Sequence, residues 1–269
     1  MLSIEIAVAK THKYASRDSG DTAETVERPT GGISMVLVDG QGSGHAAKSL
    51  SMMVSSKAVS LLKEGVRDGA IARATHDFLH AYRHGRVSAT LDIVSVELAT
   101  KTILVTRNSA TPYLVRQNGV FERHDSASGP IGLYRHTRPM IDQYPIEAGL
   151  TVVIFSDGIV NAGHRTQQPF DALAFVRDSL PSDALAHDLA DGALAAAVTA
   201  DSGRPNDDMT VAAVTIVPTV IEQPVRTIRV SVPFSRCWQF VSLLLGVARR
   251  ARPRSSRLFV NVESTPGRS

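Results

Sequence analysis

The sequence predicts an α+β fold in which helical layers cover antiparallel sheets, and three observations lead to that class. Of the 269 residues, 43% are hydrophobic and 20% are charged, which suits a large buried core. Most predicted strands follow one another through short turns, which is typical of antiparallel pairing. Helical sequence falls early in the chain and again late, instead of alternating with every strand. This pattern favours a layered sandwich over a doubly wound parallel sheet.

The first part of the chain contains two predicted strands and two predicted helices. Residues 3–9 and 33–38 are rich in β-branched and apolar side chains and are bounded by turn formers, so each predicts a strand. The polar stretch between them is predicted to be a loop. Apolar residues at helical spacing predict helices over 45–65 and 69–85, each closed by a glycine.

The rest of the domain is predicted to be mostly strands. The dipeptide Asn118-Gly119 lies between two short apolar runs and predicts a tight hairpin turn. An alanine- and leucine-rich stretch over 169–200 predicts helix. The predicted strands are 88–98, 102–108, 112–116, 120–124, 150–158 and 209–217.

Charge divides the chain into two parts. Residues 219–269 carry nine arginines and two acidic residues, whereas the preceding residues carry 20 basic and 24 acidic side chains. We therefore predict a main domain over 1–217 and a basic extension over 218–269, formed by a strand and a short helix. The extension could pack on the domain, lie on an anionic membrane surface or meet a partner.

Other sequence features restrict the class of protein. A single cysteine, Cys237, excludes an internal disulfide framework and fits a reducing compartment. No signal-peptide pattern and no run of 18 apolar residues is found, so we expect a cytoplasmic protein. No groove-reading motif accompanies the basic extension, and we predict no nucleic-acid binding.

Aspartates stand at the ends of several predicted strands. They are Asp39 in VLVDGQG, Asp157 in VIFSDGI and the pair Asp207-Asp208 in RPNDDMTV, with Asp21 in the preceding polar stretch. If these carboxylates converge, their mutual repulsion requires protons or cations. Oxygen ligands without cysteine favour Mg²⁺ or Mn²⁺ over zinc. The alternative is that each Asp-Gly pair is an ordinary turn.

Several motifs in order resemble one family. They are DGQGSGHAA, SATPYLVR, GPIGL, VVIFSDGIVNA and NDDMTV. In this order they resemble the metal-dependent protein serine/threonine phosphatases (PPM, or type 2C), and above all the bacterial branch of the sporulation stage II phosphatase and the sigma-factor regulators. The resemblance covers residues 1–217. It implies a four-layer α-β-β-α sandwich, with two central antiparallel sheets flanked by helix pairs, and a centre of two Mn²⁺ or Mg²⁺ ions.

The resemblance also implies roles for single residues. Asp39 corresponds to the acid that bridges both metals, and Gly40 to the residue whose carbonyl is a ligand. Asp157 and Asp207 correspond to ligands of the second metal. Asp21 corresponds to an early acid that contacts the metals, usually through water. The implied catalytic pair is therefore Asp39 and Asp157.

Further residues are weaker candidates. His45, directly after the glycine loop, and Arg17 are candidates for substrate binding. The glycines beside Asp39 and Asp157 are interpreted as clearance around the metals. Where the branch has Asn-Ala-Gly-His-Pro, residues 108–112 read Asn-Ser-Ala-Thr-Pro, so the histidine is missing. Three histidines at spacings of four in the second helix are interpreted as a polar helix face.

The resemblance implies hydrolysis of phosphoserine or phosphothreonine on a regulatory protein, by a hydroxide between two cations. The implied substrate is a phosphorylated anti-sigma-factor antagonist. The alternative is a catalytically weak phosphatase-like module that binds a partner. A nucleotide-binding regulator is disfavoured, because Gly40, Gly42 and Gly44 are followed by His45 and the dinucleotide fingerprint fails.

Overall fold

Ten strands form two five-stranded sheets in residues 1–14 and 16–219, the parts of the chain that the computed structural model describes. The predicted extension therefore lies almost wholly outside the described residues and stays a prediction. In chain order the elements are β1 (Leu2–Thr11), β2 (Asp21–Glu27), β3 (Ile33–Asp39), α1 (Gly44–Lys63), α2 (Asp68–Arg83), β4 (Leu91–Glu97), β5 (Thr102–Asn108), β6 (Tyr113–Gln117), β7 (Val120–His124), β8 (Met140–Pro145), β9 (Thr151–Phe155), α3 (Asp157–Val160), α4 (Ala172–Ser179), α5 (Ala186–Ala200) and β10 (Met209–Pro218).

Both sheets are antiparallel throughout. The first has the order β1-β10-β9-β6-β7, and the second has the order β2-β3-β4-β5-β8. Apolar side chains from both sheets pack between them, among them Met35, Val105 and Val214. A second cluster lies between the first sheet and the helices α4 and α5, and a third between the second sheet and the helices α1 and α2. The predicted four-layer α-β-β-α sandwich is confirmed.

Local sequence explains how the helices attach to the sheets. In α1 the buried side chains recur at helical spacing, from Ala47 and Leu50 to Val54 and Ala58, and so form one apolar stripe. At the predicted hairpin, Asn118 and Gly119 both have positive φ, at 50° and 78°, as a type I′ turn requires. No helix of the described residues has the length and hydropathy needed to cross a membrane.

The prediction of a loop between the first two strands is wrong. Residues 21–27 form β2, which pairs with β3 and lies at an edge of the second sheet as far as the chain is described. An edge strand is partly solvated, so its polar residues do not prevent pairing. The strand β8, at the other edge, and the single turn α3 were not predicted either.

Candidate metal centre

Acidic strand ends from both sheets meet at one cavity of about 350 Å³. Asp39 is the last residue of β3, Asp157 follows β9 directly after Ser156, and Asp207 precedes β10. Because β9 and β10 are neighbours in the first sheet and β3 belongs to the second, both sheets contribute carboxylates. The residues that line the cavity are Asp39, Gly40, Gln41, Gly42, Ser88, Ala89, Thr90, Pro130, Asp157, Asp207 and Asp208.

Asp21 lies behind these carboxylates and is fully buried. It pairs with Asp39 in the register of β2 and β3. Its Oδ2 accepts a hydrogen bond of 2.6 Å from the Thr210 hydroxyl, and its Oδ1 is buried with no partner among the described residues. The pKa of Asp21 is raised to about 6, mainly by burial and also by the charges of Asp208 and Asp157, while hydrogen bonds with the Thr210 and Ser156 hydroxyls act in the opposite direction.

The same crowding acts more strongly on Asp39. Burial, together with the negative charges of Asp21, Asp157 and Asp207, raises its pKa to about 9. Burial followed by the charge of Asp207 also raises the pKa of Asp157, and the two carboxyl groups of Asp39 and Asp157 share a hydrogen bond. Without a bound cation, these carboxyl groups therefore retain a proton, and a divalent cation could take the place of that proton.

The donor set fits hard divalent cations. Carboxylate and carbonyl oxygens are the ligands that Mg²⁺ and Mn²⁺ prefer. Among residues 1–14 and 16–219, no ion pair joins Asp21, Asp39, Asp157 or Asp207 to a basic side chain. In the same residues no three His, Cys, Asp or Glu side chains form a group that would hold one ion. An ion here would therefore complete its ligands with the Gly40 carbonyl and water, as Mg²⁺ commonly does.

The glycines of the site have another reason than clearance around metals. A Cβ at Gly40 would lie 2.3 Å from the carbonyl oxygen of Ala47, and one at Gly158 would lie 2.1 Å from that of Asp208. Both distances are far below contact. Close packing, of the Asp39 loop on α1 and of α3 on the residue before β10, therefore requires glycine at both positions, and clearance around metals stays an interpretation.

Two residues that the sequence reasoning missed hold the Asp39 loop. The Asp39 N–H donates to the Thr90 hydroxyl at 3.2 Å, and the Thr90 N–H donates to the Asp39 carbonyl at 2.9 Å. Ser88 donates its backbone N–H to Gln41 Oε1 at 2.9 Å, and its carbonyl accepts from the Gln41 N–H at 3.1 Å. Serine and threonine are too common in such positions for the sequence to mark them.

The two adjacent aspartates before β10 have different environments. Asp208 is buried, and its oxygens accept backbone hydrogen bonds from Lys13 at 2.8 Å and Gly20 at 2.7 Å. It thereby ties the segment between β1 and β2 to the site. Among the described residues, Asp207 accepts only from the Asp208 N–H, at 2.9 Å. Of the pair, Asp207 is the one with oxygen atoms left for a cation.

The two weaker candidates lie outside the cavity lining. His45 is exposed in the first turn of α1, where its Nδ1 lies 3.4 Å from the Ser49 hydroxyl. Arg17 is exposed in the segment between β1 and β2. Their proposed roles in substrate binding stay predictions.

The histidines of α2 are not simply a polar face. His76 is buried and its Nδ1 accepts the Gly132 N–H at 3.1 Å, while His80 Nδ1 bonds to the Gly132 carbonyl at 3.2 Å. Burial lowers the pKa of His76. Gly132 has φ of 89°, and a Cβ there would lie 2.5 Å from Leu79. The helix therefore holds the GPIGL segment, whose Pro130 lines the cavity.

The segment Asn-Ser-Ala-Thr-Pro, residues 108–112, also supports the GPIGL segment at the cavity wall. The Asn108 amide donates to the Gly129 carbonyl at 3.1 Å. Ser109 donates to buried Asp92 at 3.0 Å, and Arg107 donates to Ser109 at 3.1 Å. None of these side chains lines the cavity. In this chain the segment that lacks the family histidine has a structural role.

The comparisons with known proteins decide the family. The model of the stage II sporulation protein E (SpoIIE) family matches residues 29–217. The chain belongs to the SpoIIE family. None of the curated protein sequences compared with the chain matches it.

Solved structures share the fold of this SpoIIE-family chain at low sequence identity. The PP2C phosphatase domain of SpoIIE from Bacillus subtilis, with a fragment of its regulatory domain, is 19% identical with a TM-score of 0.70. The similarity covers 82% of this chain and 64% of that one, so the chain spans less than two thirds of that structure. The chain is thus of the SpoIIE family, and its described residues share the fold of that PP2C phosphatase domain.

Two further structures are similar. RsbX in complex with magnesium is 13% identical, with a TM-score of 0.60, over 80% of this chain and all of that one. The RsbU and RsbW domains of a protein from Mycobacterium tuberculosis are 14% identical, with a TM-score of 0.62, over 80% of this chain and 62% of that one. At these identities the likeness concerns the fold.

Proposed function

We propose that the domain hydrolyses phosphoserine or phosphothreonine on a phosphoprotein, with two Mn²⁺ or Mg²⁺ ions. The observation that carries the proposal is the meeting of Asp39, Asp157 and Asp207 at one cavity without a basic partner among the described residues. A site that raises the pKa of Asp39 to about 9 is unfavourable for the fold and is suited to bind cations.

In this proposal Asp39, Asp157, Asp207 and the Gly40 carbonyl hold the cations, and Asp21 orients water with its free Oδ1. Bound divalent cations would supply a water of lowered pKa and neutralise the phosphoryl oxygens. Thr90 fixes the backbone on both sides of Asp39, which keeps that carboxylate at the cavity. The cavity volume of about 350 Å³ admits a phosphorylated side chain.

We further propose that the phosphoprotein is an anti-sigma-factor antagonist and that the protein is cytoplasmic. The family supports the first point, as does the neighbour that combines RsbU and RsbW domains. The single cysteine supports a reducing compartment.

The test is hydrolysis of para-nitrophenyl phosphate and of a phosphoserine peptide with and without Mn²⁺. We expect turnover that requires the metal and is lost in Asp39→Asn and Asp157→Asn. Asp191→Asn is the matched control, because Asp191 is exposed on α5 and is not among the residues that line the cavity. Absence of metal-dependent turnover in the unaltered chain, with Mn²⁺ binding retained in calorimetry, would instead favour the phosphatase-like binding module.

A further inference from the structure

A cluster of basic side chains lies beside the acidic cavity. We call it the basic rim. All six of its side chains are exposed, and they come from two stretches of chain, 83–88 and 130–138. Each stretch includes a residue of the cavity wall, Ser88 in the first and Pro130 in the second. The members of the rim are Arg83, His84, Arg86, Arg135, His136 and Arg138.

The two stretches are neighbours in space. Directly beside Ser88, Ala89 and Ile131 exchange two backbone hydrogen bonds, of 3.1 and 2.9 Å. Farther from the cavity, His80 bonds to the Gly132 carbonyl, and a Cβ at Gly85 would lie 3.3 Å from the Leu133 carbonyl oxygen. The arginines of both stretches therefore belong to one surface that begins at the cavity.

Within the described residues, no acidic side chain forms an ion pair with the rim. Neither stretch contains an acid. Of the acids next to them along the chain, Asp92 is buried with Ser109, Asp125 is paired with Arg123 at 2.7 Å, and Asp142 accepts from a tyrosine at 2.8 Å. The positive charge of the rim is thus left for a group outside the domain.

We infer that the basic rim docks an acidic segment of the phosphoprotein substrate, an inference that rests on the proposed function. A basic surface beside the cavity attracts a negatively charged segment of the partner and orients it toward the cavity. Tyr134 and Leu133, which are 61% and 39% exposed, directly precede Arg135 in the second stretch. Tyrosine and arginine together are typical of protein interfaces.

A polypeptide fits this surface better than a nucleic acid or a membrane. The domain outside the basic extension carries more acidic than basic residues, 24 against 20. A long polyanion or a charged bilayer would meet that excess as well as the rim, whereas a short acidic segment meets the rim alone.

The experiment compares two phosphoserine peptides that differ only in their flanks, one with glutamates and one with glutamines. At low salt we expect kcat/KM to be about tenfold higher for the glutamate peptide, and the preference to fall as salt is added. The double variant Arg86→Glu with Arg135→Glu should lose the preference and keep its hydrolysis of para-nitrophenyl phosphate. Arg73→Glu is the matched control, because it lies on the same helix about 15 Å before Arg83.

A second measurement separates docking from catalysis. Fluorescence anisotropy of a labelled, unphosphorylated glutamate peptide with chelator present should report binding that the double variant loses and Arg73→Glu keeps. If no phosphopeptide is hydrolysed, the proposed function fails while this binding still decides the docking. Equal kinetics for both peptides overturn the inference. So does binding of duplex DNA or phosphatidylserine vesicles that depends on the same arginines without any peptide preference.

Discussion

Buried and half-buried carboxylates occupy two regions of the domain, and their neighbours differ between the two regions. Away from the cavity, Asp68 lies 2.6 Å from Arg28 and Asp92 lies beside Arg107. At the cavity, Asp39 and Asp157 have each other and further aspartates as neighbours. The first region uses its carboxylates to hold the fold together. The second concentrates negative charge that no basic side chain of the described residues pairs with, and that concentration marks the candidate functional site.

The contrast between the two groups of carboxylates is tested most directly by removing one charge from the cavity. Asp39→Asn should lower metal-dependent turnover by more than about a hundredfold, since even residues that only orient metal ligands commonly cost 10–100-fold. Steady-state hydrolysis of a phosphoserine peptide measures this. Turnover within a few-fold of the unaltered chain would show that Asp39 has no part in metal binding. Asp191→Asn should leave the rate unchanged.

Removing a positively charged side chain from the other region should instead lower the stability of the fold. Arg28→Met leaves Asp68 buried without its charge partner and should lower the free energy of unfolding by about 3–5 kcal/mol. Urea denaturation of the metal-free protein measures the loss. The double variant Arg28→Met with Asp68→Leu should be less destabilised, because it leaves no unpaired charge at Asp68. A single variant as stable as the unaltered chain would contradict the structural role of this pair.

The pH dependence of stability sharpens the contrast. The pKa of Asp39 rises from 3.8 to about 9, so between those values the folded state binds a proton that the unfolded state releases. Stability of the metal-free protein should therefore fall as pH rises, by about 1.4 kcal/mol per pH unit for one such proton. Denaturation in chelator at pH 5 to 8 measures the slope, and Asp39→Asn should reduce it.

Manganese provides the control for that slope. Metal binding requires the ionised carboxylate, so excess Mn²⁺ should weaken or reverse the fall with pH. A slope that is equal in Asp39→Asn and the unaltered chain would mean that another group carries the effect. Asp191→Asn should keep the slope of the unaltered chain.

The two regions also differ in how far the sequence predicts them. Asp39 and Asp157 end apolar strands and stand before glycines, a local pattern that the sequence shows directly. The strands and helices around them were predicted for a similar reason, since periodicity is local. In contrast, the ion pair between Asp92 and Arg107 depends on pairing between β4 and β5. No local sequence pattern beside either residue indicates that ion pair. The edge strand β2 was missed because its polar residues resemble a loop.

The supports of the cavity wall are the least predictable part. Thr90 and His76 act through backbone atoms of Asp39 and Gly132, which are distant in sequence. Hydrogen bonds of this kind follow from the completed fold. The motifs resembling those of a family identified the acids, and only the packed structure identified what holds them.

The support from α2 gives the smallest expected effect. His76→Leu leaves the Gly132 N–H buried without an acceptor, which should lower the free energy of unfolding by about 1–2 kcal/mol. Because Pro130 of the same segment lines the cavity, we also expect KM for a phosphopeptide to rise. His76→Gln retains an acceptor and should recover part of both losses. A stability loss with unchanged KM would mean that α2 stabilises the segment without positioning the wall of the cavity.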